Sequence, residues 1–253
     1  MFENSMGRGS RWTLLLCLLL VPTLPTNSDE PVVLKELDAG EGVRESGTQL
    51  MQLSLGLHQL EPESDDATSL LIGVHGFRSE GYEWVYPLQT MDDEETTTFF
   101  YRWDYTQCPD QSAGGLVQAI KELLDSDGDT TKITVVGHSL GGVLVSALVE
   151  DWPFEQATDL HAVAAPLAGL DSFADKCGKF LPDTIRPTIR FLQWRTQHKL
   201  DGAYRNLEND PQVVDIEGSV AVTLPETYRE RRLGHNWAVS WVADRIANAK
   251  KSE

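Results

Sequence analysis

A mostly parallel sheet with helices on both faces is the α/β architecture this sequence predicts, on three observations. Apolar β-branched runs alternate with helical patterns from residue 69 onward. The run Lys132-Ile-Thr-Val-Val-Gly-His stops at Ser139, which has a glycine two residues away on each side. Reactive residues also recur just after the strand-like runs, where the loops at the carboxyl ends of parallel strands carry chemistry.

The first segment differs in kind from the rest. Arg8 and Arg11 precede an apolar stretch from Trp12 to Val21, followed by Pro22, Pro25 and small polar residues before Asp29-Glu30. That is the pattern of a secretory signal peptide over residues 1–28, with Ser28 and Thr26 as the small residues at the cut. An uncleaved anchor is the alternative, although the apolar core is short for a bilayer span. Cys17 lies inside the apolar run, where a lipidated cysteine would instead begin the mature chain. Residues 29–253 are expected to form one domain in a secreted or cell-envelope location.

Strands are expected near 32–37, 50–57, 69–77, 96–103, 132–138, 160–166, 187–196 and 213–224. The first two are joined only by Asp38 to Thr48, which suits an antiparallel pair at one sheet edge. Helices are expected near Glu83–Met91, Ala113–Asp125, Leu140–Asp151 and Asn236–Ala249; Trp152-Pro153 ends the third. The acidic run Asp92-Asp-Glu-Glu95 falls between a helix and a strand and reads as a solvated loop.

The net charge of −18, from 39 acidic against 21 basic residues, argues against nucleic acid and anionic lipid surfaces as partners. Membrane contact is expected only through the N-terminal segment, if it stays uncleaved. Nothing groups histidine, cysteine and carboxylates at zinc spacing, so no metal or cofactor is expected. Export would leave Cys108 and Cys177 in an oxidising compartment, each just after a strand end, where one bridge competes with two free thiols.

Gly137-His-Ser-Leu-Gly141 is a candidate nucleophile elbow, because a turn that throws one side chain clear of the sheet crowds backbone where a Cβ would clash. A serine that merely caps a helix is the bland alternative. A serine hydroxyl needs a base, and the base an orienting acid. Among six histidines, His235 follows the last strand and opens the terminal helix, whereas His198 reads as support for the acid loop. Asp201, followed by Gly202 and Ala203, is the candidate acid, with Asp210 and Asp215 as rivals. Backbone N–H groups of Leu140, at a helix start, and Phe77, after the strand end at His75-Gly76, are the candidate oxyanion donors.

At Val74-His-Gly-Phe77, Gly137-His-Ser-Leu-Gly-Gly142, Ala164-Ala-Pro-Leu-Ala-Gly169 and Gly234-His235, the chain resembles the α/β-hydrolase family, in its lipase and esterase branch, over roughly residues 32–250. The resemblance implies Ser139 as nucleophile, His235 as general base and acid, Asp201 as orienting acid, and Phe77 with Leu140 as the oxyanion hole. Only Pro166 to Pro187 is inserted where larger relatives carry a helical lid, so a short flap and an open cleft are expected. Trp84, Tyr86, Trp103 and Tyr105 are either cleft-lining or core aromatics.

The expected function is an exported serine hydrolase acting on small-molecule or lipid acyl esters. A thioesterase, amidase or acyltransferase would use the same triad. A non-catalytic binding protein on the same fold would usually have lost the serine or the histidine, and neither is lost.

Overall fold

Seven strands form one sheet in the order β1-β3-β2-β4-β5-β6-β7. The structure, a computed structural model, describes residues 1, 31–62, 67–126, 128–170, 176–178, 181–182 and 185–251. The N-terminal segment read as a signal peptide, with Cys17, lies outside the described residues. So does part of the expected flap, at 171–175, 179–180 and 183–184.

β2 (Ser69–Val74), β3 (Thr96–Arg102), β4 (Lys132–His138), β5 (Ala157–Val163), β6 (Ile189–Arg195) and β7 (Val220–Thr223) run parallel, and β1 (Gly56–Gln59) pairs antiparallel with β3 at one edge. Each central strand is a nearly continuous buried run, because helices cover both faces. Successive residues then serve opposite layers. Leu70, Ile72, Val74, Ile133 and Val135 pack against α3 (Pro109–Ser126) and α4 (Leu140–Leu148). On the other face Leu71, Phe100, Val136, Val163 and Leu192 meet α2 (Tyr82–Met91) and α5 (Trp237–Lys250).

The chain before β2 departs from the sequence reading. Residues 32–37 hold a 3₁₀ turn, Leu34–Glu36, rather than a strand, and Val43–Gln52 is a helix, α1, where a short connection was expected. Val43, Gly47, Leu50 and Met51 recur at helical spacing, and that face packs on α2. The antiparallel edge therefore exists, but its partner is β3. The reason for the close α1–α2 packing is glycine: a Cβ on Gly47 would stand 2.2 Å from the Tyr82 nitrogen, and one on Gly81 2.2 Å from the Gly47 oxygen.

The expected strand over 213–224 shortens to β7, because the segment before it turns on itself through bonds such as Ser219 N–H to Ile216 O at 3.1 Å. An unpredicted two-residue hairpin, β8 (Thr227–Tyr228) and β9 (Arg231–Arg232), follows. Arg229 and Glu230 take its turn at φ 49° and 62°, the left-handed pair that tight hairpins use. Cys108 and Cys177 are joined by a disulfide. Among the described residues no helix is long and apolar enough to cross a membrane.

Candidate active site

β4 ends at His138 and α4 begins at Leu140, so Ser139 alone makes the turn, at φ 55° and ψ −120°. A non-glycine residue sits there at a cost, and such strain persists where the surroundings over-determine it. The glycines show how tightly they do. A Cβ at Gly137 would lie 2.3 Å from Gly141 O, one at Gly141 2.4 Å from Val74 O, and one at Gly142 2.6 Å from the Ala165 Cβ. The Ser139 N–H is anchored to Val163 O at 2.8 Å.

The β2 loop abuts this turn. A Cβ on Gly76 would stand 2.8 Å from His138 O and 2.9 Å from the Ser139 Cβ, so only glycine lets the two segments meet. His75 fixes the loop from below: its Nδ1 faces Gly76 O at 3.0 Å, while Nε2 accepts from Arg102 at 2.8 Å and from Trp103 N–H at 3.2 Å. Burial, with help from the Arg102 charge, holds the His75 pKa down at about 4, so this imidazole stays neutral. The Phe77 side chain is 54% exposed, with its ring edge-on to Tyr105 at 5.2 Å, so it is not a core aromatic. Leu140 is the first residue of α4, where helix N–H groups have no intrahelical acceptor. Trp84 and Trp103 are buried in the core.

His235 is held from three sides. Its Nδ1 lies 2.9 Å from Asp201 Oδ2, its ring meets His138 at 4.7 Å between centroids, and Tyr204 stands edge-on at 5.0 Å. His138 Nε2 faces the His235 carbonyl at 3.2 Å. Burial and the neighbouring His235 keep His138 down at about 3. Asp201 follows the 3₁₀ turn His198–Leu200 and is fully buried. Burial raises its pKa, but the hydrogen bond and charge of His235, the Thr196 hydroxyl at 2.5 Å and the Ala203 N–H at 2.8 Å outweigh it and leave the carboxyl below its usual range. His198 Nε2 bonds Tyr204 O at 2.9 Å, which supports the acid loop.

Of the rival acids, Asp210 accepts from Gln212 N–H and Nε2, both at 3.0 Å, and Asp215 is exposed. The structure thus brings Asp201 to His235, and Ser139, His235 and the Gly76–Phe77 loop to one cavity of about 100 Å³. A larger cavity of about 300 Å³ between α3 and α4 does not reach Ser139.

Two residues escaped the sequence reading. Tyr204 donates its hydroxyl to Ala164 O at 2.8 Å, a residue itself at φ 48°, and faces the Ser139 side chain. Its spacing three residues after Asp201 was the available signal. Glu83, in the first turn of α2, is buried beside the cavity, and a charged residue on a helix start carries no such signal.

A hydroxyl that shares a cavity with an imidazole, itself hydrogen-bonded to a buried carboxylate, is an arrangement able to move a proton from oxygen to nitrogen and back once the two meet. The model of the alpha/beta hydrolase family matches residues 71–246. Among solved structures the chain is similar to Est1E from Butyrivibrio proteoclasticus, at 15% identity and TM-score 0.51 over 78% of this chain and 92% of that one. It is also similar to a putative thioesterase from Silicibacter sp. TM1040, at 17% identity and TM-score 0.50 over 81% and 86% of the two chains. The esterase Pf2001 from Pyrococcus furiosus is a third, at 12% identity and TM-score 0.50 over 78% and 86%. At these identities the likeness is one of fold. No curated protein matches the sequence.

Proposed function

Because the chain belongs to the alpha/beta hydrolase family, we propose that it is an exported serine hydrolase that cleaves carboxylic esters through an acyl-serine intermediate. The observation that carries this reading is the buried Asp201 bound to His235 at 2.9 Å, on a cavity that Ser139 shares. Export rests on the sequence of residues 1–28 alone.

In this reading Asp201 accepts from Nδ1–H of His235, which leaves Nε2 with a lone pair to take the Ser139 proton. Ser139 Oγ attacks the ester carbonyl, and the oxygen that gains charge is met by the N–H groups of Leu140 and Phe77. Leu140 heads α4, whose dipole favours that charge. The tetrahedral intermediate collapses as His235 returns the proton to the leaving alcohol. Water, deprotonated by His235, then attacks the acyl-serine and releases a carboxylate.

A fluorophosphonate probe tests the reading directly: it should label the folded wild type and leave Ser139→Ala unlabelled. Equal labelling of both, or of neither, removes it. The same three groups serve thioesters and amides, so an acyl-matched thioester and anilide belong in the assay. Faster turnover of either at equal acyl length would move the assignment to that class.

A further inference from the structure

The geometry points to Glu83 as the recognition group for a free hydroxyl carried by the substrate a few bonds from the scissile carbonyl, which makes the substrate class a hydroxylated ester rather than a plain aliphatic one. The inference rests on the proposed ester hydrolysis and narrows it.

Glu83 is 6% exposed and lines the same small cavity as Ser139 and His235. One carboxyl oxygen is occupied: Oε1 accepts from the Ser79 hydroxyl, which in turn accepts from Gly81 N–H at 3.1 Å. The other, Oε2, is buried with no hydrogen-bond partner among the described residues. Buried polar atoms in folded proteins are nearly always paired, and an unpaired one is an expensive thing to keep. Glu83 is therefore held in place by the loop that carries Phe77, with one carboxyl oxygen unpaired in the wall of the cavity that Ser139 also lines.

The surroundings agree in kind. The rim around Glu83 includes Arg78, Ser79, Tyr82 and Asn236, polar groups rather than the aliphatic walls a long acyl chain requires. Asn236 is tied across the cavity to Tyr82, its amide donating to the phenol oxygen at 2.7 Å. Burial pushes the Glu83 carboxyl up, against the bond from Ser79. A hydroxyl suits the site whatever its protonation, because it can both donate to a carboxylate and accept from a carboxylic acid.

The hydroxyl could sit on the alcohol or on the acyl side, and matched esters separate the two. Ethyl butyrate, glycerol monobutyrate and ethyl 3-hydroxybutyrate are compared by kcat/KM with the full chain. One hydroxylated ester should exceed ethyl butyrate by about tenfold or more, since a site built to pair a hydroxyl rejects the analogue that lacks it. Methylating that hydroxyl should remove the preference without any change to the protein. Glu83→Leu should bring the ratio close to one, and because the ratio is taken within one variant, a general loss of activity divides out. Parity of all three esters in the wild type, or an unchanged ratio in Glu83→Leu, overturns the inference while leaving ester hydrolysis standing. Hydrolysis of none of the three, with no fluorophosphonate labelling, removes both.

Discussion

His235 Nδ1 and Asp201 Oδ2 meet 2.9 Å apart across 34 residues of chain, and the carboxylate has no solvent exposure. Removing its charge while keeping its shape should leave the histidine in the wrong tautomer. Asp201→Asn is expected to lower kcat on a p-nitrophenyl ester by about 10³- to 10⁴-fold, whereas Asp210→Asn, at a carboxylate that accepts from Gln212, should change it by less than about tenfold. The opposite ranking in steady-state kinetics would reassign the acid.

The glycines around the serine make a steric prediction. Gly76→Ala places a methyl group 2.8 Å from His138 O, and Gly141→Ala one 2.4 Å from Val74 O. Both listen to backbone rather than to a side chain that can swing away, so both should lose activity by about 100-fold or more. Gly114→Ala, where a Cβ meets nothing within 4 Å, should be silent in the same assay.

Acid should destabilise the fold well above the range of ordinary carboxylates. His75 and His161 are held near 4 and His138 near 3, chiefly by burial, against a usual value of 6.5. Between those values and about 6.5 the unfolded chain binds protons that the folded one refuses, so stability is lost as pH falls through that window, on the order of a few kcal/mol for each histidine. Glu61, raised to about 7 mainly by burial, and Glu83, also raised, act in the opposite sense, but two carboxyls stand against three histidines. The Tm should therefore fall steadily between pH 6.5 and 4. A flat profile would mean the imidazoles titrate freely.

Cys108 and Cys177 close a loop with a sequence separation of 69 residues. Reduction, or Cys108→Ser, should cost about 2–4 kcal/mol of stability, read as a shift in the urea midpoint. Non-reducing peptide mapping of the exported protein should recover the two cysteines in one linked fragment, and two free thiols would contradict it.

Tyr204→Phe should lower kcat/KM by about tenfold, because the hydroxyl that caps Ala164 and faces Ser139 is lost while the ring against His235 is kept. An unchanged value would restrict Tyr204 to packing.

Much of this architecture is legible because its signals are local. The strands from β2 to β6 are apolar runs bounded by turns, and the elbow glycines mark a crowding that no other residue tolerates. The chain before β2 misled because Leu50 to Leu57 is apolar by count, while its helical partners Val43 and Gly47 sit in a stretch that reads as polar. Asp201 could be ranked above Asp210 by its following Gly202, yet its burial and its bond from Thr196 depend on segments brought together only by folding. Glu83 was invisible for the same reason. Nothing in the letters distinguishes a glutamate that lines the cavity of Ser139 from the solvated kind.

The contact of Gly47 with Gly81 has a bearing on where this molecule can be cut. There backbone touches backbone at a distance no side chain could soften, and Gly81 opens the helix whose first turn ends the loop of Gly76 and Phe77. From the sequence, residues 32–37 are expected as an edge strand and Asp38 to Thr48 as its short connection to the next, with no bearing on that loop. Deleting them would take away the stop against which that loop rests, so a shortened protein beginning near β1 should fold with its catalytic edge loose, and the shortest active fragment should begin before α1 rather than after it.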